Sequence, residues 1–232
     1  MSEALNRVRG IDYLPIFPLP LVMLPNELVP LHIFEEKYRQ MLKDIVHSRN
    51  VFGISLLEPD GSIIDRPPVG SVGCVAEIRE SETLPDGRSN ILSLGIVRYR
   101  ILDYKDAGEP YLVAVPEFFE DDTEDSAQLA PLTETVFKLF ERMAAAAFKI
   151  SGSRGTLPEI QRTDPEPMSF LITAAFNFDN EKKYRLLEMT STSNRLLHLK
   201  EILDHAVSQM EDNAEIHVAS RSNGHSKKSI DL

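Results

Sequence analysis

Near residue 120 the hydrophobic rhythm of this chain changes, and that change constrains the fold more than any single motif. Before it, apolar residues come in short β-branched runs; after it, they recur every three or four residues. The runs are Leu14–Leu19, Val51–Leu57, Val72–Ile78, Ile91–Leu102 and Leu112–Val115. Asp60-Gly61, Asp86-Gly87 and Ala107-Gly108 lie between them, where glycine supplies the positive φ of tight turns. Short strands at this spacing predict an antiparallel β-barrel. Pro18 and Pro20 predict an edge or entry position for the first strand, because proline cannot donate to a ladder. One helix is predicted inside the set: Phe34–His47 puts Tyr38, Met41, Leu42 and Ile45 on one face, with Phe34 and Tyr38 anchoring it on the barrel.

Glu117–Asp125 (EFFEDDTED) is acidic and reads as a solvated linker. Beyond it, Leu129, Leu132, Val136, Leu139, Met143 and Ala147 form one stripe of a long helix that Gly152 and Gly155 stop. Asp164, Pro165 and Pro167 open a helix over Met168–Phe178, and Asn180–Met189 is a short amphipathic one. Leu196, Leu199, Leu203, Ala206 and Met210 stripe the last. Four such helices predict a small bundle. The expected fold class is α+β: a β-barrel with one inserted helix over 11–120, then a helical bundle over 126–211. A disordered tail is expected over 212–232, where apolar residues are too few to offset the entropy of ordering.

The search for chemistry is largely negative. Asp and Glu number 36 against 25 Lys and Arg, a net charge of −11 that repels phosphate backbones and makes a nucleic-acid partner unexpected. No stretch approaches the ~18–20 apolar residues of a membrane span. The first fifteen or so residues lack the apolar core of a signal peptide. Cys74 is the only cysteine, so no intramolecular disulfide forms, which fits a reducing compartment and predicts a cytoplasmic protein. With no Gly-Lys pair there is no P-loop, and H-E-x-x-H, C-x-x-C and G-x-S-x-G are all absent. No cofactor, metal ligand or catalytic residue is predicted. Cys74 lies within an apolar run and reads as a small buried hydrophobe. His198, Glu201 and His205 share a helix face, but two turns put the imidazoles about 10 Å apart, too far for one zinc. His32 stands between apolar neighbours and is expected to satisfy a local backbone group. Arg98 and Arg100 alternate with Val97, Tyr99 and Ile101, so both point to one strand face. They either line a groove for an anionic or peptide carboxylate group or form a solvent-facing pair bridged to acidic neighbours.

Several segments then fall into an ordered series: Leu14–Leu19, Val22, Leu24-Pro25, Pro30–Glu35 and Tyr38; Val51–Gly53; Pro68–Gly73; Gly95–Ile101; and Lys183, Leu186–Glu188 and Asn194–Leu197. Together they resemble the N-terminal, substrate-binding domain of Lon proteases. The resemblance implies a PUA-like β-barrel followed by a helical bundle, and a role in recognising and delivering protein substrates. It transfers no residue-level binding site. Full Lon continues into ATPase and serine–lysine protease domains, whereas this chain stops, so neither activity is carried over. The expectation is a free-standing, non-enzymatic module that binds a polypeptide, either an unfolded substrate or a separate protease. A groove between barrel and bundle, with His32, Phe34, Arg98 and Arg100 as its residues, is the expected surface. The alternatives are RNA binding, by analogy with PUA domains and against the charge, and an enzyme with an unrecognised site. The oligomeric state is not legible.

Overall fold

The computed structural model describes residues 2–57, 66–151 and 162–223, with side chains of the last helix as far as Ser208. The helices are α1 (Glu3–Val8), α2 (Glu36–Val46), α3 (Ser126–Ile150), α4 (Pro165–Ala175), α5 (Asn180–Glu188) and α6 (Thr192–Asn223). The strands are β1 (Leu14–Leu19), β2 (Leu28–Ile33), β3 (Val51–Leu56), β4 (Val72–Thr83), β5 (Ser89–Tyr104) and β6 (Leu112–Phe119). Two compact units result: Met1–Asp122 with Glu166–Thr190, and Thr123–Pro165 with Ser191–Leu232.

In the first unit the sheet runs β2-β5-β4-β3-β1-β6, and β6 also pairs with β5. The hydrogen-bonded path β5-β4-β3-β1-β6 therefore returns to its start. β1 is not an edge strand, as its prolines had suggested, and the set is not wholly antiparallel, because β1 runs parallel to β3. The reason lies in a stagger. Leu14–Ile16 pair with β6 while Ile16–Leu19 pair with β3, so Pro15 and Pro18 each have a paired neighbour on one side only. A proline costs a ladder least where its missing N–H can face the unpaired side.

The period of two in the strands fills two cores. Phe52, Ile54, Cys74, Ala76 and Ile91 turn toward α2, whose Tyr38, Met41, Leu42 and Ile45 are all buried as expected. Phe34 does not help to anchor that helix; it is 60% exposed. Val51, Val75, Val97, Tyr99 and Ile101 face the other way, against Leu14, Ile16 and Val8 of α1. α1 was not anticipated, although Ser2 caps it by accepting from Leu5 N–H. Gly95 is required by a close approach. A Cβ there would lie 2.1 Å from Leu24 O, and Asn26 N–H to Gly95 O and Gly95 N–H to Glu27 O, both 2.9 Å, hold the two segments together. Gly95→Ala will cost about 1–3 kcal/mol in urea unfolding; an unchanged midpoint would mean that Leu24 moves away freely.

The four-helix bundle expected over 126–211 divides. α3 pairs with α6 in the second unit, whereas α4 and α5 belong to the first, where Phe170 and Leu187 pack with Val22, Leu24 and Val72. α3 buries Leu129, Val136 and Leu139 of its stripe, together with Phe137 and Ala146. α6 continues to Asn223, through the first part of the segment expected to be disordered. No Gly or Pro interrupts it before Gly224, and each further helical residue adds one backbone hydrogen bond. The Asp60-Gly61 turn and the Gly152/Gly155 helix stop lie outside the described residues.

Candidate functional site

Of the four residues singled out from the sequence, Arg98 departs furthest from expectation. It is only 1% exposed. Its Nη1 donates to Leu187 O at 3.1 Å and Met189 O at 2.5 Å, and its Nη2 to Asp121 Oδ1 at 2.5 Å. Glu166 Oε1 stands 3.8 Å away. The guanidinium lies 4.7 Å from the Phe119 ring centre and 5.2 Å from that of Phe170, close enough for cation–π attraction. The solvent-facing and groove readings of Arg98 are thus corrected: carbonyls at the end of α5 and a carboxylate after β6 satisfy the charge inside the first unit. The acidic run is corrected with it. β6 extends to Phe119, and the Asp121 side chain is 3% exposed rather than solvated.

Arg100, two residues on, stays 39% exposed and donates to Gly70 O at 3.1 Å. Its Nε is 3.8 Å from Glu117, so an acidic neighbour is present as one reading required. His32 and Phe34 do come together. Their rings stack at 6.1 Å between centroids, and His32 Nδ1 meets the Asn90 side-chain Oδ1 at 2.7 Å rather than a backbone group. Arg98 lies eight positions further along β5 than Asn90, roughly 26 Å at about 3.3 Å per residue. One groove does not hold all four.

The remaining candidates are structural. Cys74 is fully buried, and burial pushes its thiol far above the usual range, so no thiolate is available. His198 Nδ1 lies 3.3 Å from Asn194 O, and no metal-holding group of three His, Cys, Asp or Glu occurs among the described residues.

What the structure adds is a surface. Among the described residues β2 ends the strand order, paired only with β5, and Leu28, Pro30 and His32 alternate outward in exposed positions. Leu28 is 56% exposed, and Phe34 prolongs the row. β2 was not recognised as a strand because its outward Leu28 and Pro30 are as apolar as inward Val29 and Leu31, leaving no period of two. A cleft of about 230 Å³ opens beside Leu94, between Ala4 and Arg7 of α1 and Arg79. A wider cleft of about 570 Å³ lies by Glu36, Lys37, Gln40 and Pro110. Neither presents a nucleophile with its base.

Residues 13–205 match the family described as the ATP-dependent protease La (LON) substrate-binding domain. The chain belongs to this family. Lon protease of Escherichia coli (strain K12) is 28% identical over 201 residues, covering 82% of this chain and 24% of that protein. Lon protease of Dictyoglomus thermophilum is 23% identical over 197 residues, covering 84% and 25%. The chain thus spans about a quarter of the length of these relatives. Two solved structures have a similar fold. One is a Lon N-terminal domain protein from Xanthomonas campestris, with TM-score 0.56, 22% identity, and 81% of this chain and 96% of that one covered. The other is the N-terminal domain of Mycobacterium avium complex Lon protease, with TM-score 0.59, 19% identity, and 83% and 98% covered. In this Lon substrate-binding domain the segments that carried the resemblance form β1, most of β2, the starts of β3 and β4, much of β5 and parts of α2, α5 and α6. Arg98 and Leu187, which the buried contact joins, both lie in them.

Proposed function

We propose that the protein is a non-enzymatic module that binds segments of other polypeptides, either an unfolded chain or a separate protease. The observation that carries this reading is the exposed outer row of β2, Leu28, Pro30 and His32, prolonged by Phe34 just past the strand, in a family described by substrate binding. Aromatic side chains, Phe among them, are enriched at protein interfaces relative to the rest of the surface. Arg100 supplies a half-exposed cation elsewhere on the same unit. The returning path of strand pairings is read as a PUA-like barrel, a stiff support for such a surface. RNA binding is not favoured, because the net charge is −11. No helix among the described residues is long and apolar enough to cross a membrane. The protein is placed in the cytoplasm as part of this proposal. ATP hydrolysis and peptide cleavage are not assigned to it.

Fluorescence anisotropy with a labelled unfolded polypeptide and a labelled structured RNA at physiological salt tests the reading. Polypeptide binding is expected, and none to RNA. Phe34→Ala will weaken polypeptide binding about tenfold without shifting the melting temperature, since the ring is exposed. RNA binding without polypeptide binding would reverse the conclusion.

A further inference from the structure

The outer face of β4, β5 and β2 is built in rows. Strand register puts Leu94 between Glu77 and Leu28, Leu92 between Glu80 and Pro30, and Asn90 between Glu82 and His32. The His32–Asn90 contact confirms that row partners share a face. The β2 half of the face is therefore mostly apolar and the β4 half acidic. Three cations near it are engaged: Arg7 and Arg79 pair with Glu77, and Arg88 with Asp86. Glu80 and Glu82 are exposed and form no ion pair among the described residues.

A polypeptide could add as a strand to the free edge of β2 or lie as a helix across the face. The edge is poorly suited. Gly95 N–H donates to Glu27 O, and stepping along the register by twos gives Val29, Leu31 and Ile33 the N–H groups that face β5. Leu28, Pro30 and His32 are left for the free edge, and Pro30 has no N–H to offer at its centre. The face has no such gap. Three strands about 4.8 Å apart make it about 10 Å wide, the diameter of one helix. The chain already lays a helix beside it: α1 contacts β5, and its Ala4 lines one cleft with Leu94 and with Ile96, the next outward residue of β5.

We propose that this face receives one amphipathic helix of a protein partner. Its apolar stripe covers Leu28, Pro30, Leu92 and Leu94, and its lysines or arginines meet Glu80 and Glu82. A face of some six strand residues accommodates about 13 helical residues. The inference rests on the polypeptide-binding reading and names the class of segment taken.

The test uses three labelled peptides of four turns with the full chain. One has an apolar stripe flanked by lysine, one the same stripe flanked by glutamate, and one a scrambled order of the lysine peptide. The lysine-flanked peptide should bind at least tenfold more tightly than either other and gain helical circular dichroism on binding. Glu80→Lys/Glu82→Lys, at exposed positions, should reverse the lysine–glutamate order, and Glu80→Gln/Glu82→Gln should abolish it. The preference should shrink as salt screens it. Equal binding of the three peptides, or binding without helix formation, while the unfolded polypeptide still binds, would overturn the helix inference alone. Loss of all binding, the unfolded polypeptide included, would overturn the polypeptide-binding function with it.

Discussion

Arg98→Met will destabilise the first unit by about 3–5 kcal/mol, the cost of removing one partner from a buried ion pair. The substitution retains the length and apolar stem of the side chain. What it removes is the charge facing Asp121 and the donors facing Leu187 O and Met189 O. Asp121 would then keep a buried carboxylate that has lost its cation, and the last carbonyls of α5 would lose their cap. The chain has no Trp and six Tyr, so urea unfolding is best followed by far-ultraviolet circular dichroism. Hydrogen exchange should show protection lost first in α4 and α5, the helices whose unit the arginine holds. Adding Asp121→Leu should recover part of the loss, because the stranded charge goes with it. A cost below about 1 kcal/mol, the range of exposed pairs, would mean that Arg98 reaches solvent.

The second large effect is expected in the other unit. Leu199 and Leu203 of α6 are both fully buried. Leu199→Ala or Leu203→Ala should each cost about 2–5 kcal/mol, the loss of buried methyl groups plus the cavity they leave. The pairing of α3 with α6 supplies much of that unit's packing, so hydrogen exchange should accelerate in both helices. Protection in α4 and α5 is the contrast, since those helices belong to the first unit. A loss below half a kcal/mol, far under the usual range for leucine truncation, would show that the stripe is open to solvent.

Much of this was legible in the sequence. Tyr38, Met41, Leu42 and Ile45 follow a helical period and are buried; Leu196, Leu199 and Leu203 do the same. Cys74 inside an apolar run is buried, and the ordered segments from Leu14 to Leu197 pointed to the family. A local period carries this information because it depends only on neighbours a few residues away. It says that a residue has a covered side, and never what covers it. Arg98, alternating on its strand, read as exposed because its partners are 23, 89 and 91 residues distant. The same blindness hid the burial of Asp121 within an acidic run, the sharing of α4 and α5 with the sheet, and the parallel place of β1 between β3 and β6. β2 lacked even the local period, since its outward row is apolar. Sequence determined which residues seek cover and which family they resemble. Tertiary structure decided where a charge could be buried and which apolar row was left exposed, because both depend on groups that meet only when distant segments pack.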